Sequence, residues 1–164
     1  MTIRWIENVS WDAVKNGWHS DMGDNSILIQ IADPATFFPK PAKTFREIYQ
    51  FEFLDAEDND PWDDDFKISD MQASELVCVL QYGLNHNMNV LVHCHAGICR
   101  SGAVVEVGTM MGFTATERFR MPNLRVKHRM MKALGWTYDE NEKQEAINGT
   151  MSSSGIILPN GDWE

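Results

Sequence analysis

The chain has 164 residues, 43% of them hydrophobic, and a formal net charge of −10, which is enough apolar material for the core of one domain. No apolar run reaches membrane-spanning length, and the opening "MTIRWIENVSWDAV" lacks the basic flank and apolar stretch of a secretory leader, so a cytoplasmic protein is expected. The negative charge argues against a general binder of nucleic acid or anionic membrane, which needs clustered Lys and Arg, while a small anionic substrate stays open because a pocket can be locally positive.

In chain order, "SILIQIADP" (26–34) is a β-branched run closed by Asp-Pro, a buried strand meeting a turn. The aromatic-rich "EIYQFEFLD" (47–55) reads as a second strand running into an acidic loop. The stretch 69–86 opens with Ser69 as an N-cap, and Met71, Leu76, Val79, Leu80 and Leu84 fall at helical spacing. "NVLVHC" (89–94) is a short continuous apolar strand, "RSGAVVEVGTMMG" (100–112) a helix lined by small residues, and "LRVKHRMMKALG" (124–135) a helix stopped by Gly135. Strands alternating with helices predict a single α/β domain over residues 1–147, its mostly parallel central sheet flanked by helices, with ligands at the carboxyl ends of the strands. The tail 148–164 is turn-rich and reads as poorly ordered.

Two charged stretches stand apart. Acidic residues crowd "DAEDNDPWDDD" (55–65), and Arg118, Arg120, Arg125, Lys127, His128, Arg129 and Lys132 form a basic run; each reads first as a solvated face or loop. The three cysteines, Cys78, Cys94 and Cys99, read as thiols, not a disulfide framework, in a chain of this size. Cys78 is expected in the core, on its helix. The sequons at Asn8 and Asn148 would matter only in a secreted chain.

The densest chemistry lies in "VLVHCHAGICRSG" (90–102), where a strand ends at His93, a loop runs from Cys94 to Arg100, and a helix begins at about Ser101. Backbone N–H groups in such a loop form a nest at the positive end of the helix dipole, an anion cradle. Gly97 permits the conformation and the close approach a cradle needs. A cysteine at its lip is favoured as the thiolate nucleophile, and Arg100 offers a planar fork for two oxygens of a phosphate. Zinc ligation by His93, Cys94, His95 and Cys99 is a poor alternative, since adjacent residues rarely point at one ion and Arg100 would repel it. A buried structural cysteine explains neither Gly97 nor Arg100.

The run from His93 to Ser101 resembles the HCxxGxxR(S/T) signature of the cysteine-dependent protein tyrosine and dual-specificity phosphatases, and the wider pattern over about 25–135 is similar to their small bacterial and phage forms. The resemblance implies a compact dual-specificity phosphatase-like fold and a protein phosphatase acting on phosphotyrosine, with phosphoserine and phosphothreonine as further substrates. It implies Cys94 as nucleophile, and Arg100 with the amides of His95, Ala96, Gly97, Ile98, Cys99 and Arg100 as the phosphate site. Ser101 would assist departure of the sulfur, and His93 would set the thiolate's surroundings. No metal or other cofactor is implied, because the loop supplies the electrostatics itself. The family takes its general acid from an aspartate after the preceding strand. Asp55 holds that place, 39 residues before Cys94, an interval longer than the family's that an insertion in "AEDNDPWDDD" accounts for; Asp58, Asp60 and Asp63 are the other candidates. Trp62 and Phe66 read first as core, otherwise as pocket walls. Cys99 reads as a packing residue, with a protective disulfide to Cys94 under oxidation as the alternative. The other functional readings are an RNA 5′-phosphatase or nucleotide phosphatase using the same loop, and a catalytically inactive phosphate-binding module. Lipid-specific versions tend to carry lysines inside the loop, and "HAGIC" has none. A phosphorylated protein or peptide is therefore the expected partner, with neither membrane nor nucleic acid.

Overall fold

The computed structural model describes residues 3–136, so the expectations for the tail at 148–164 and for the Asn148 sequon lie outside the described residues. The elements are β1 (Trp5–Val9), α1 (Trp11–Asn16), β2 (Ser26–Ala32), β3 (Glu47–Glu52), a 3-10 turn at Asp64–Phe66, α2 (Asp70–Asn85), β4 (Asn89–His93), α3 (Arg100–Met111), β5 (Thr114–Ala115) and α4 (Leu124–Ala133). The strands form one sheet in the order β3-β2-β4-β1-β5, and every pairing is parallel. A single α/β domain with a parallel central sheet is therefore what the chain builds.

Both faces of the sheet are covered, which is why β2 and β4 are dominated by apolar residues, with the buried Gln30 as an interruption in β2. Ile27, Ile29 and Ile31 of β2 and Val90 and Val92 of β4 pack with α2, α3 and α4 in the larger core cluster. Leu28 and Leu91 point the other way, into a smaller cluster with Val9, Ala13, Val14 and Phe45. The register pairs Val9 of β1 and Gln30 of β2 with His93 of β4. The carboxyl ends of three central strands thus finish side by side, and their following loops meet over one crevice.

Strand β1 was not anticipated, because its short run "WIENV" carries Glu7 and Asn8 in the middle. Both are buried, at 1% and 2% exposure; Glu7 is hydrogen-bonded there, whereas Asn8 donates through Nδ2 and its Oδ1 has no protein partner. Glu7 accepts from the amide and hydroxyl of Ser20 at 3.0 and 2.6 Å and pairs with Arg118 at 3.2 Å. Burial pushes its carboxyl up, but the Ser20 bonds and the Arg118 guanidinium outweigh this and leave it below the ordinary value.

Helix α2 starts as expected with a capping box, Ser69 bonding the Gln72 amide and Gln72 reaching back to the Ser69 amide. Its buried face is Ala73, Leu76, Val77, Leu80 and Leu84. That corrects two sequence expectations: Cys78, one step round from Val77, is exposed and not in the core, and Met71 is also exposed. The basic run is only in part a solvated face or loop: Lys132 is exposed, but others are buried or paired. Arg125 is buried against Asp58 at 2.7 Å, Arg129 and Lys132 both reach Asp70, and Arg120 pairs with Glu106. Lys127 is 2% exposed. Acidic and basic stretches distant in sequence partly neutralise each other across the fold.

Candidate active site

The loop between β4 and α3 is held from outside by its carbonyls. Trp11 N donates to His95 O at 3.0 Å, Asn8 Nδ2 to Gly97 O at 2.8 Å, Met121 N to Ile98 O at 3.2 Å and Asn123 N to Cys99 O at 2.9 Å. In a planar trans peptide the N–H opposes the C=O, and no peptide bond among the described residues is cis. Carbonyls held from that side turn the amides of Ala96, Ile98, Cys99 and Arg100 the opposite way, an arrangement that can form a nest. Gly97 takes φ +78° in this loop, and a Cβ there would lie 2.3 Å from the Val9 carbonyl carbon. No other residue fits so close to the β1 backbone.

Within this loop sits Cys94, 3% exposed. Its Sγ is 3.2 Å from the Ser101 hydroxyl and accepts from Gly97 N at 3.3 Å. Arg100 follows at the first position of α3 and is 4% exposed. Its Nη1 donates to Asp33 Oδ1 at 2.7 Å and to the Phe53 carbonyl at 2.8 Å, while its buried Nε has no protein partner. One corner of the guanidinium is thus tied to the scaffold, and the Nε edge is left for a ligand.

These groups meet at a cavity of about 350 Å³ lined by Asp33, Leu54, Asp55, Trp62, Cys94, His95, Ala96, Cys99 and Arg100. Of the candidate aspartates Asp55 alone borders it. Its Oδ1 accepts from Asn123 Nδ2 at 2.8 Å, and the Cys99 thiol is in hydrogen-bond contact with it. Asp58 is turned to Arg125, Asp60 accepts from the Glu57 amide at 2.7 Å, and Asp63 caps the 3-10 turn. Trp62 is exposed and walls the cavity; Phe66 is exposed too, so neither is core. Burial first, and Asp55 second, push the Cys99 thiol up to about 11. It stays protonated at neutral pH, which fits packing better than ready disulfide exchange.

Three residues at the site had no role in the sequence reading. Asn8 ties the nest to β1 and, through Phe119 O at 3.0 Å, to the segment before α4. Asp33, taken for a turn residue before Pro34, holds Arg100. Asn123 caps α4 through Val126 N while orienting Asp55. Glu57 completes that corner: its carboxylate accepts from Leu124 N and Arg125 N at 2.8 and 2.9 Å. Burial still raises its pKa, with Asp55 and Asp60 adding to the effect.

His93 is fully buried beneath the loop, and its Nδ1 donates to Cys94 O at 3.2 Å. Burial, reinforced by Arg100, pushes it down to about 4, so the ring is neutral at physiological pH. The unfolded chain takes up this proton near pH 6.5 and the folded one only near 4. Stability from this residue is therefore full above about 6.5 and is lost as pH falls through that window, by about 3 kcal/mol. Denaturant unfolding of wild type and His93→Asn between pH 7 and 4 should give curves that converge on acidification. Parallel curves would assign the acid sensitivity elsewhere.

No family model matches the chain, and no curated protein matches it. Solved structures do. The human tyrosine phosphatase-like serine/threonine/tyrosine-interacting protein is 20% identical, with 67% of this chain and 76% of that one covered at a TM-score of 0.46. Human DUSP28 is 13% identical, with 78% of each chain covered at a TM-score of 0.46. OH1 from the Orf virus, a tyrosine phosphatase, is 16% identical, with 98% of this chain and 83% of that one covered at a TM-score of 0.42.

Proposed function

We propose that the protein hydrolyses phosphate monoesters on proteins, phosphotyrosine first, through a cysteinyl-phosphate on Cys94. The observation that carries this is the convergence on one buried sulfur of the Ser101 hydroxyl and the Gly97 amide, with Arg100 beside it. In the first step Sγ bonds to phosphorus as the ester P–O bond breaks, and Asp55 gives its proton to the departing oxygen. The nest amides and the free edge of Arg100 hold the three equatorial oxygens as charge shifts among them. In the second step Asp55 takes a proton from water, which attacks phosphorus. The S–P bond breaks, and the Ser101 hydroxyl supports the returning sulfur anion. The Asp33 carboxylate at the cavity disfavours a polyanionic substrate, and Trp62 offers an aromatic ring an apolar wall.

The choice of acid makes the sharpest test. Asp55→Asn should lower kcat on a phosphotyrosine peptide by roughly a hundredfold or more, and much less on an activated aryl phosphate whose phenolate leaves without a proton. Asp58→Asn and Asp60→Asn are the controls. If either of these shows the leaving-group dependence and Asp55→Asn does not, the acid is the later residue. A panel of phosphopeptide, phosphoinositide and triphosphorylated RNA run with wild type decides the substrate class; an inactive phosphate binder would retain phosphopeptide binding with no turnover.

A further inference from the structure

Beside the catalytic cavity lies a second one of about 100 Å³, bordered by Trp11, Ala32, Asp33, Thr36, Phe37 and His95. Asp33 and His95 line both, so the two cavities adjoin. The rim of the smaller one carries an exposed aromatic: Phe37 is 90% exposed. Yet the backbone carrying Phe37 is anchored. The Thr36 amide and hydroxyl both donate to Asp33 O at 3.2 and 2.6 Å, Trp11 Nε1 donates to Phe37 O at 3.4 Å, and the buried Gln30 amide donates to Pro39 O at 2.9 Å. Trp11 is in turn tied to the nest through His95 O. A large aromatic held in water beside an anion site gains nothing for the fold and offers a ready surface to a ligand.

We propose that this groove is the subsite for a second side chain of a peptide substrate, a branched aliphatic one such as leucine, two positions from the phosphorylated residue. The proposal rests on the phosphatase reading of Cys94. In an extended peptide alternate side chains point the same way and stand roughly 7 Å apart, so a peptide with one side chain in the catalytic cavity has another within reach of the adjoining one. Trp11 and Phe37 supply apolar contact, and the volume suits an aliphatic side chain. The Asp33 carboxylate lining both cavities disfavours an acidic residue there, and equally the next phosphate of a nucleic acid.

The test uses the full chain, wild type and Phe37→Ala, with phosphotyrosine peptides carrying Leu, Gly or Glu at positions −2 and +2. Both kcat/KM and binding by fluorescence anisotropy are measured, alongside turnover of an aryl phosphate and binding of a 5′-phosphorylated oligonucleotide. At one of the two positions Leu should be preferred over Gly by about tenfold in wild type and by no more than about twofold in Phe37→Ala, with aryl phosphate turnover unchanged. Equal treatment of Leu and Gly by wild type would overturn the proposal, as would a preference that survives in Phe37→Ala. So would an oligonucleotide that loses more affinity than the Leu peptide. Failure of wild type to turn over the aryl phosphate, with the Leu preference intact in binding, would instead sink the phosphatase reading and leave the groove standing.

Discussion

Cys94→Ser should abolish turnover of an aryl phosphate while leaving fold and phosphate binding in place. The substitution keeps a small polar atom at the floor of the cavity; most contacts that shape the loop come from Asn8, Trp11, Met121 and Asn123, and the Gly97 amide that donates to the sulfur can donate to a serine oxygen instead. What changes is reactivity. A thiolate is the stronger nucleophile and the better leaving group from phosphorus, whereas a serine hydroxyl reaches no useful anionic fraction at neutral pH. Circular dichroism and inorganic phosphate binding should match wild type, and single-turnover experiments should show no trapped phosphoenzyme. Activity within about tenfold of wild type would reject Cys94 as the nucleophile.

Arg100→Lys should lower kcat/KM by about 2 to 4 kcal/mol in transition-state stabilisation, roughly thirty- to thousandfold. Charge is kept, so a point-charge account of the site predicts little loss. The structure gives a reason for more. Arg100 serves Asp33 and the Phe53 carbonyl with one nitrogen and keeps its Nε edge unengaged. A lysine has a single nitrogen to divide between those acceptors and the substrate, and the negative Asp33 lies at hand to draw it away. Steady-state kinetics on one aryl phosphate suffice, and a near-normal kcat/KM would mean that the amides alone hold the phosphate.

Much of this was legible in the residues, for particular reasons. Strands β2 and β4 are covered on both faces, so burial writes itself into the sequence as runs that are apolar on successive positions, Ile27 to Ile29 and Val90 to Val92. The loop from Cys94 to Arg100 needs a thiol, a glycine and a guanidinium at fixed spacing, and few other purposes need that set. Legibility failed where long-range partners decide the outcome. Glu7 and Asn8 look like turn formers until Ser20, Arg118 and the Gly97 carbonyl are brought to them. Asp33 reads as the residue before a proline, and only the fold sets it against Arg100, 67 positions away. Cys78 misled because a cysteine is usually buried, whereas its place on α2 is one step off the apolar stripe.

The acidic loop after β3 invites comparison with a hinged flap, but it is fastened along its length. Leu54 N bonds Phe66 O across its base, Asn123 reaches the Ala56 carbonyl, Glu57 grips the start of α4, and the buried Lys67 ammonium binds the carbonyls of Asp58 and Asp60. Its conformational entropy is surrendered when the chain folds, not when a substrate arrives. A loop with so little distance to travel adds no slow closing step to the catalytic cycle, and solvent viscosity should then leave the turnover of a good substrate untouched until diffusion itself becomes limiting.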